Sequence, residues 1–127
     1  MKAIDTNVLL RLVVEDDRAQ TAAAEHFVRD GAWVPILAVA EAAWVLSTNF
    51  GFKPSNIADA LGVLLDHPQL RFQEAEALEE ALAVYRKSPG ADFSDCLMLG
   101  LSRKAGHLPL GTFDRRLAKI EGARLIG

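Results

Sequence analysis

Short aliphatic runs alternate along this chain with longer amphipathic segments that end at a glycine or at a turn containing proline. Such alternation predicts an α/β domain in which helices connect parallel strands. The chain has 127 residues, of which 50% are hydrophobic, and we therefore expect one compact domain over residues 1–127. It contains no run of about 18 apolar residues and no signal-like N-terminus, so we expect a cytoplasmic protein without a membrane span.

The apolar runs predict short strands near residues 2–4, 33–35, 70–72, 107–113 and 123–127. The amphipathic segments predict helices near residues 7–14, 18–29, 37–49, 55–66, 74–87 and 92–106, and a short helix over 114–122. Ser55 is the expected N-cap of the fourth helix. Parallel strands joined by helices bring the strand C-termini to one edge of a sheet, where open α/β proteins bind their ligands.

Acidic residues recur at this predicted edge. Asp5 and Asp114 follow strands, Glu41 lies early in a helix that follows a strand, and Asp92 and Asp95 begin a later helix. Each aspartate, taken alone, has an alternative role as a helix cap or as an acid favoured by the helix dipole. Glu41 is different because its neighbours are apolar, which predicts a position on or beside a buried face and favours a functional role.

Several carboxylates at one edge would repel each other and raise one another's pKa unless a cation lay among them. Carboxylates are ligands for hard ions such as Mg²⁺ and Mn²⁺, and the scattered histidines offer no spacing suited to Zn²⁺. An ion bound by acids suits phosphate chemistry.

The single cysteine, Cys96, is expected to be a small buried hydrophobic residue. The net charge of −3 argues only against broad, non-specific nucleic-acid affinity.

Four segments, in this order, carry a resemblance to a known family: IDTNVLLR, AVAEAAWVL, ADFSDCLMLGLSRKAG and LGTFDRRLAKI. Together they resemble the PIN-domain ribonucleases, and most closely the VapC-type toxins of toxin–antitoxin pairs. The resemblance covers essentially the whole chain. It implies a PIN-like three-layer α/β domain, with a central, mostly parallel sheet of four to five short strands flanked by helices.

The resemblance also implies an acidic site of four residues. Asp5 and Asp95 correspond to the principal metal ligands, and Glu41 and Asp114 complete the pocket by binding through water or by helping a second ion. The remaining matched positions are supporting ones: Thr6, Asn7 and Thr112 would order the acids through hydrogen bonds, Asp92 would assist or cap its helix, and Arg11 would contact an acid, an RNA phosphate or a surface partner.

The implied reaction is endonucleolytic hydrolysis of RNA with Mg²⁺ or Mn²⁺, in which water attacks and leaves a 5′-phosphate and a 3′-hydroxyl. The implied partners are an RNA substrate, a second copy in a homodimer, and a VapB-like antitoxin that covers the acidic groove with a basic side chain. Cations available for phosphate positioning are Arg115, Arg116, Lys119, Lys53 and Arg11.

Three other protein classes share features with this chain. A haloacid-dehalogenase-type phosphotransferase requires a second aspartate where Asn7 stands, and a response-regulator receiver domain requires a lysine that HLPLGTFD lacks. A catalytically silent PIN-fold binding module keeps the fold but regulates by protein contact. Dependence on a divalent ion separates the nuclease from that module.

Overall fold

The computed structural model describes all residues 1–127. The chain divides into two compact units, Met1–Ala75 and Glu76–Gly127, which we name the N-terminal unit and the C-terminal unit. The single domain expected from the sequence therefore stays a prediction. None of the helices has the length and apolar character needed to cross a membrane.

The N-terminal unit contains a three-stranded parallel sheet in the order β1-β2-β3. Its elements, in chain order, are β1 (Lys2–Ala3), α1 (Thr6–Arg11), α2 (Arg18–Val28), β2 (Ala32–Val34), α3 (Ile36–Thr48), α4 (Pro54–Leu65) and β3 (Leu70–Phe72). The central strand β2 buries Ala32 and Val34 and turns Trp33 outward, as the two-residue period of a strand requires. Side chains of α1, α3 and α4 supply much of the surrounding core: Leu9, Leu10, Leu46, Leu61 and Leu64.

The C-terminal unit contains α5 (Ala75–Lys87, beginning at the boundary), α6 (Phe93–Ala105), β4 (Leu110–Thr112), a 3-10 turn (Leu117–Lys119) and β5 (Ala123–Leu125). Strands β4 and β5 pair in parallel. The rings of Tyr85 and Phe93 meet edge to face, with their centroids 5.8 Å apart. Gly100 is buried where α6 faces α5, and a Cβ there would make only an ordinary contact, 3.6 Å from the carbonyl oxygen of Ala77. Helix α6 ends at Gly106, whose φ of 82° is left-handed.

The predicted α/β class and the parallel pairing are confirmed. Strands β1, β4 and β5 are shorter than predicted, whereas β2 and β3 have the predicted length. The strands divide into sheets of three and two where one sheet was expected. The predicted helix over 114–122 shortens to the 3-10 turn. The predicted N-cap Ser55 is wrong: Lys53 occupies that position, its N–H donates to Oδ1 of Asn56 at 3.3 Å, and Pro54 begins α4. Proline fits there because the first helical N–H has no partner within the helix.

Candidate active site

Asp5 is the N-cap of α1. Its backbone is extended, and Oδ1 accepts a hydrogen bond from the N–H of Val8 at 3.1 Å. The side chain is exposed, and its second oxygen accepts no hydrogen bond from the protein. The capping role and a ligand role are therefore compatible, since each uses a different oxygen.

Glu41 lies on α3 and contacts the first residue of α1. The hydroxyl of Thr6 donates to Oε2 of Glu41 at 2.9 Å, which fixes the carboxylate against α1 while leaving Oε1 open. Glu41 was expected on or beside a buried face. Its side chain is exposed, so it lies beside the buried face of α3 rather than on it, next to the buried Ala38 and Ala42.

The other two supporting residues of α1 do not contact an acid of the predicted site. Asn7 is exposed, and its side-chain amide has no hydrogen-bond partner. Arg11 forms an ion pair with Asp16, and only 15% of its side chain is exposed. Of the alternatives left open for Arg11, this is the surface salt bridge.

The C-terminal unit groups three acids around the start of α6. Burial raises the pKa of Asp95, and the negative charges of Asp92 and Asp114 raise it further. Asp92 occupies the N-cap position of α6, but its side chain makes no capping hydrogen bond. The alternative of a capping side chain at Asp92 is therefore not observed, and its carboxylate acts on Asp95 by charge repulsion instead.

Asp114 is held in a tight turn after β4. Its Oδ1 accepts hydrogen bonds from the N–H groups of Arg116 at 2.8 Å and Leu117 at 3.1 Å. Its own N–H donates to the hydroxyl of Thr112 at 2.9 Å. Thr112 therefore orients Asp114 through the backbone, and the second carboxylate oxygen stays open.

The same acids act on two neighbouring groups. Burial raises the pKa of Cys96 to about 11, with further upward contributions from Asp95 and Asp92. Burial also raises the pKa of Tyr85, and Asp92 adds to that shift. Cys96 is 1% exposed, which confirms the predicted buried hydrophobic role and leaves its thiol in the unreactive form.

The cations considered for phosphate positioning differ in their availability. Arg116 is exposed and its guanidinium lies 3.5 Å from the carbonyl oxygen of Gly90. Arg115, Lys119 and Lys53 are exposed. Their side chains are therefore available for phosphate, whereas Arg11 is engaged by Asp16.

The donor chemistry of the acids fits a hard divalent ion. No three His, Cys, Asp or Glu side chains converge into a ready ligand set. Mg²⁺, however, usually keeps several water ligands and takes only one or two protein carboxylates together with substrate phosphate oxygens. Within the N-terminal unit, Asp5 and Glu41 each have an open carboxylate oxygen of this kind. Within the C-terminal unit, Asp114 has one as well, and Asp95 is subject to charge repulsion.

Two exposed aromatic side chains next to the acids were not predicted as functional. Trp44, one helical turn beyond Glu41, is 67% exposed, and Phe113, beside Asp114, is 79% exposed. Large aromatic side chains are usually among the more buried residues. The sequence did contain a signal for them, because each lies within one helical turn of an acid in the segments AVAEAAWVL and LGTFDRRLAKI.

A comparison with known families identifies the kind of domain. The family model described as PIN domain matches residues 2–123. No curated protein matches the chain. The family match favours a nuclease-type fold over the phosphotransferase and receiver alternatives.

Proposed function

We propose that this chain, which belongs to the PIN domain family, is a metal-dependent endoribonuclease and the toxin of a VapBC-type toxin–antitoxin pair. PIN domains are generally nucleases. The observation that carries the proposal is the family match over residues 2–123. It is supported by the mutual repulsion of Asp92, Asp95 and Asp114, none of which pairs with a basic side chain. Unpaired like charges are costly to hold together, and a divalent cation removes that cost.

We assign Asp5 and Asp95 as the principal ligands of Mg²⁺ or Mn²⁺, with Glu41 and Asp114 completing the set. Asp92 contributes negative charge beside Asp95. The support for Glu41 is its hydrogen bond from Thr6, and the support for Asp114 is its turn, which Thr112 orients. Both arrangements fix a carboxylate in position before an ion arrives, which reduces the ordering cost of binding.

The proposed reaction is hydrolysis of an RNA phosphodiester, leaving a 5′-phosphate and a 3′-hydroxyl. When bound, the ion supplies positive charge to the phosphoryl oxygens and lowers the pKa of the attacking water. The carboxylates orient that water and accept its hydrogen bonds, and Arg115, Arg116 and Lys119, which are exposed, position the phosphates of the substrate.

A single-stranded substrate is favoured by the exposed aromatic rings beside the acids. Trp44 and Phe113 offer faces on which unpaired bases can stack, and specific recognition of RNA mostly targets unpaired bases. The chain carries a net charge of −3, so affinity for nucleic acid has to come from local contacts rather than from a broad positive surface.

The proposal includes two protein partners and a cytoplasmic location, where RNA is available. A second copy would form a homodimer, and a VapB-like antitoxin would place a basic side chain against the carboxylates. The same unpaired charge that favours a metal ion also favours such a side chain. Antitoxin and metal would then compete for the acids.

The test is cleavage of a panel of transfer, ribosomal and messenger RNAs by purified, antitoxin-free protein with Mg²⁺ or Mn²⁺. We expect discrete cuts that disappear with a chelator and in the Asp5→Asn and Asp95→Asn variants. An Asp59→Asn variant, altered at an exposed acid of α4, is the matched control and should cut normally.

Absence of cleavage with either metal, from folded protein, would contradict the proposal. It would favour the catalytically silent binding module. Cleavage that survives the chelator or both variants would instead indicate a contaminating nuclease or a different site.

A further inference from the structure

The N-terminal unit contains a cavity of about 390 Å³ beside Asp5. This volume lies in the lower part of the range for small-ligand sites, which is about 300 to 1,000 Å³. Residues of α1 and α2, together with the cap Asp5, form its lining: Asp5, Asn7, Val8, Arg11, Gln20, Ala23, Ala24 and Phe27. The cavity therefore adjoins a residue that we assign to the reaction.

The walls of the cavity suit a flat aromatic group. Phe27 is 39% exposed, and Ala23, Ala24 and Val8 add small apolar surfaces. The ammonium of Lys2 lies 4.2 Å from the centroid of the Phe27 ring and helps to hold it in place. Lys2 does not line the cavity, so part of the ring remains available to a ligand.

Two unpaired amides supply polar contacts. The side chains of Asn7 and Gln20 line the cavity, and neither has a hydrogen-bond partner within the protein. The backbone N–H of Gln20 donates to Asp17 at 3.1 Å, which anchors the residue at the start of α2. Each amide offers one acceptor and two donor hydrogens, the combination that pairs with the edge of a nucleobase.

The charges around the cavity select against an anion. Arg11 is already paired with Asp16, and Asp5 contributes a negative charge to the lining. A phosphate placed inside would meet a carboxylate and no free cation. An uncharged planar ring with hydrogen-bonding edges meets no such repulsion.

We propose that this cavity binds the base of a nucleotide that flanks the scissile phosphate, and that it sets the base preference of cleavage at that position. The inference rests on the proposed ribonuclease function, because it assigns the base to a nucleotide whose phosphate lies at Asp5. Phe27 stacks on the base, and Gln20 and Asn7 hydrogen-bond to its edge. Gln20 is thus a specificity-determining residue, and Phe27 supplies a stacking contact that any base can use.

The first experiment measures cleavage of short single-stranded RNAs in which the positions around the cut are randomised. Ala23 is exposed on α2 and lines the cavity, so Ala23→Leu fills the cavity without disturbing the core. Phe27→Leu removes the stacking ring while keeping an apolar side chain. Ala22→Leu is the matched control, because Ala22 is exposed on the same helix and does not line the cavity. We expect the favoured base at one position to lose roughly 5- to 150-fold of its advantage in Ala23→Leu, the range for hydrogen bonds to one base edge, and to keep it in the control. Phe27→Leu should slow cleavage for every base at that position, because stacking does not discriminate among bases.

The second experiment needs no catalysis. Uncharged nucleosides are added to metal-free protein, and the side-chain amide resonances of Gln20 and Asn7 are followed by NMR. We expect shifts in the wild type and in Ala22→Leu, and none in Ala23→Leu.

The two experiments separate the failure of this inference from failure of the proposed function. Cleavage whose base preference is the same in all variants overturns the base site while the ribonuclease stands, and is the outcome expected if the cavity takes a peptide side chain instead. If the wild type cleaves nothing, nucleoside-induced shifts that Ala23→Leu abolishes still support a base site, and their absence overturns it.

Discussion

The two units differ in how they hold Asp5 and Glu41 on one side and Asp95 on the other. In the N-terminal unit Asp5 and Glu41 each accept a hydrogen bond from the protein, from the N–H of Val8 and the hydroxyl of Thr6. In the C-terminal unit Asp95 has two acidic neighbours that raise its pKa and no hydrogen-bond donor in the structure. The N-terminal unit stabilises both of these carboxylates by hydrogen bonds, whereas the C-terminal unit does so only for Asp114 and leaves Asp95 in a repulsive group that costs stability. A bound cation would therefore lower the electrostatic free energy of the C-terminal unit more than that of the N-terminal unit.

The largest expected effect is that of Asp95→Asn. Loss of a residue that only supports a ligand typically reduces activity by about 10- to 100-fold. Loss of a principal ligand should reduce the rate of metal-dependent cleavage by more than that. Initial rates on the identified RNA measure this. A variant that retains most of its activity would remove Asp95 from the ligand set and weaken the contrast between the units.

The same variant should be more stable than the wild type in a chelator at pH 7. The pKa of Asp95 is raised in the folded protein, so the stability associated with its protonated form is present below the unfolded pKa and is lost as pH rises through the folded pKa. Asparagine keeps the uncharged state at all pH values. Thermal unfolding at pH 7 and at pH 4 tests this, with the gain in Tm expected at pH 7 and smaller at pH 4.

Asp5 allows charge and capping to be separated. Asp5→Asn should abolish cleavage and keep the fold stable, because asparagine caps helices about as well as aspartate. Asp5→Ala should also abolish cleavage and lose about 0.5 to 2 kcal/mol of unfolding free energy. Urea denaturation compares the two variants. Equal losses of stability would mean that the hydrogen bond to Val8 contributes little.

Thr6→Val tests the hydrogen bond that orients Glu41. The substitution keeps the shape of the side chain and removes the donor, so we expect a loss of roughly 10- to 100-fold in cleavage rate. Thr6→Ser retains the hydroxyl and should stay close to the wild type. A large loss in Thr6→Ser would show that packing by the methyl group, rather than the hydrogen bond, positions α1.

The smallest expected effect concerns Cys96. Burial, and to a smaller extent the charges of Asp95 and Asp92, raise its pKa to about 11. Alkylation of the folded protein at pH 8.5 should therefore be very slow and should become fast on denaturation. Asp92→Asn should speed it slightly, whereas Asp5→Asn should not change it. Mass spectrometry of the alkylated fraction over time gives the rates. If Asp92→Asn and Asp5→Asn changed the alkylation rate equally, the electrostatic effect on Cys96 would not be local to the C-terminal unit.

Local signals in the sequence predicted much of this structure. The helix at residues 18–28 and the strand at 70–72 agree with expectation to within one residue, because amphipathic period, glycine stops and prolines act over a few positions. The cap at Asp5 and the burial of Cys96 followed from the same kind of local reasoning.

Non-local features were harder to predict. The division of the strands into two sheets depends on pairing between distant segments. The exposure of Glu41 was missed because α3 is apolar on every side, with Leu37 at 65% and Trp44 at 67% exposure, so its hydrophobic pattern does not mark a buried face. The cavity arises where α2 approaches α1, and no motif in the sequence identifies Gln20 or Phe27.

The aromatic chromophores divide along the boundary between the units. Both tryptophans, Trp33 and Trp44, belong to the N-terminal unit, and the only tyrosine, Tyr85, belongs to the C-terminal unit. Tryptophan emission excited at long wavelength therefore originates from the N-terminal unit alone. Trp44, exposed one turn from Glu41, is the more sensitive to solvent. During unfolding, a fluorescence transition that precedes or follows the loss of helical circular dichroism would reveal whether the two units melt as one cooperative body.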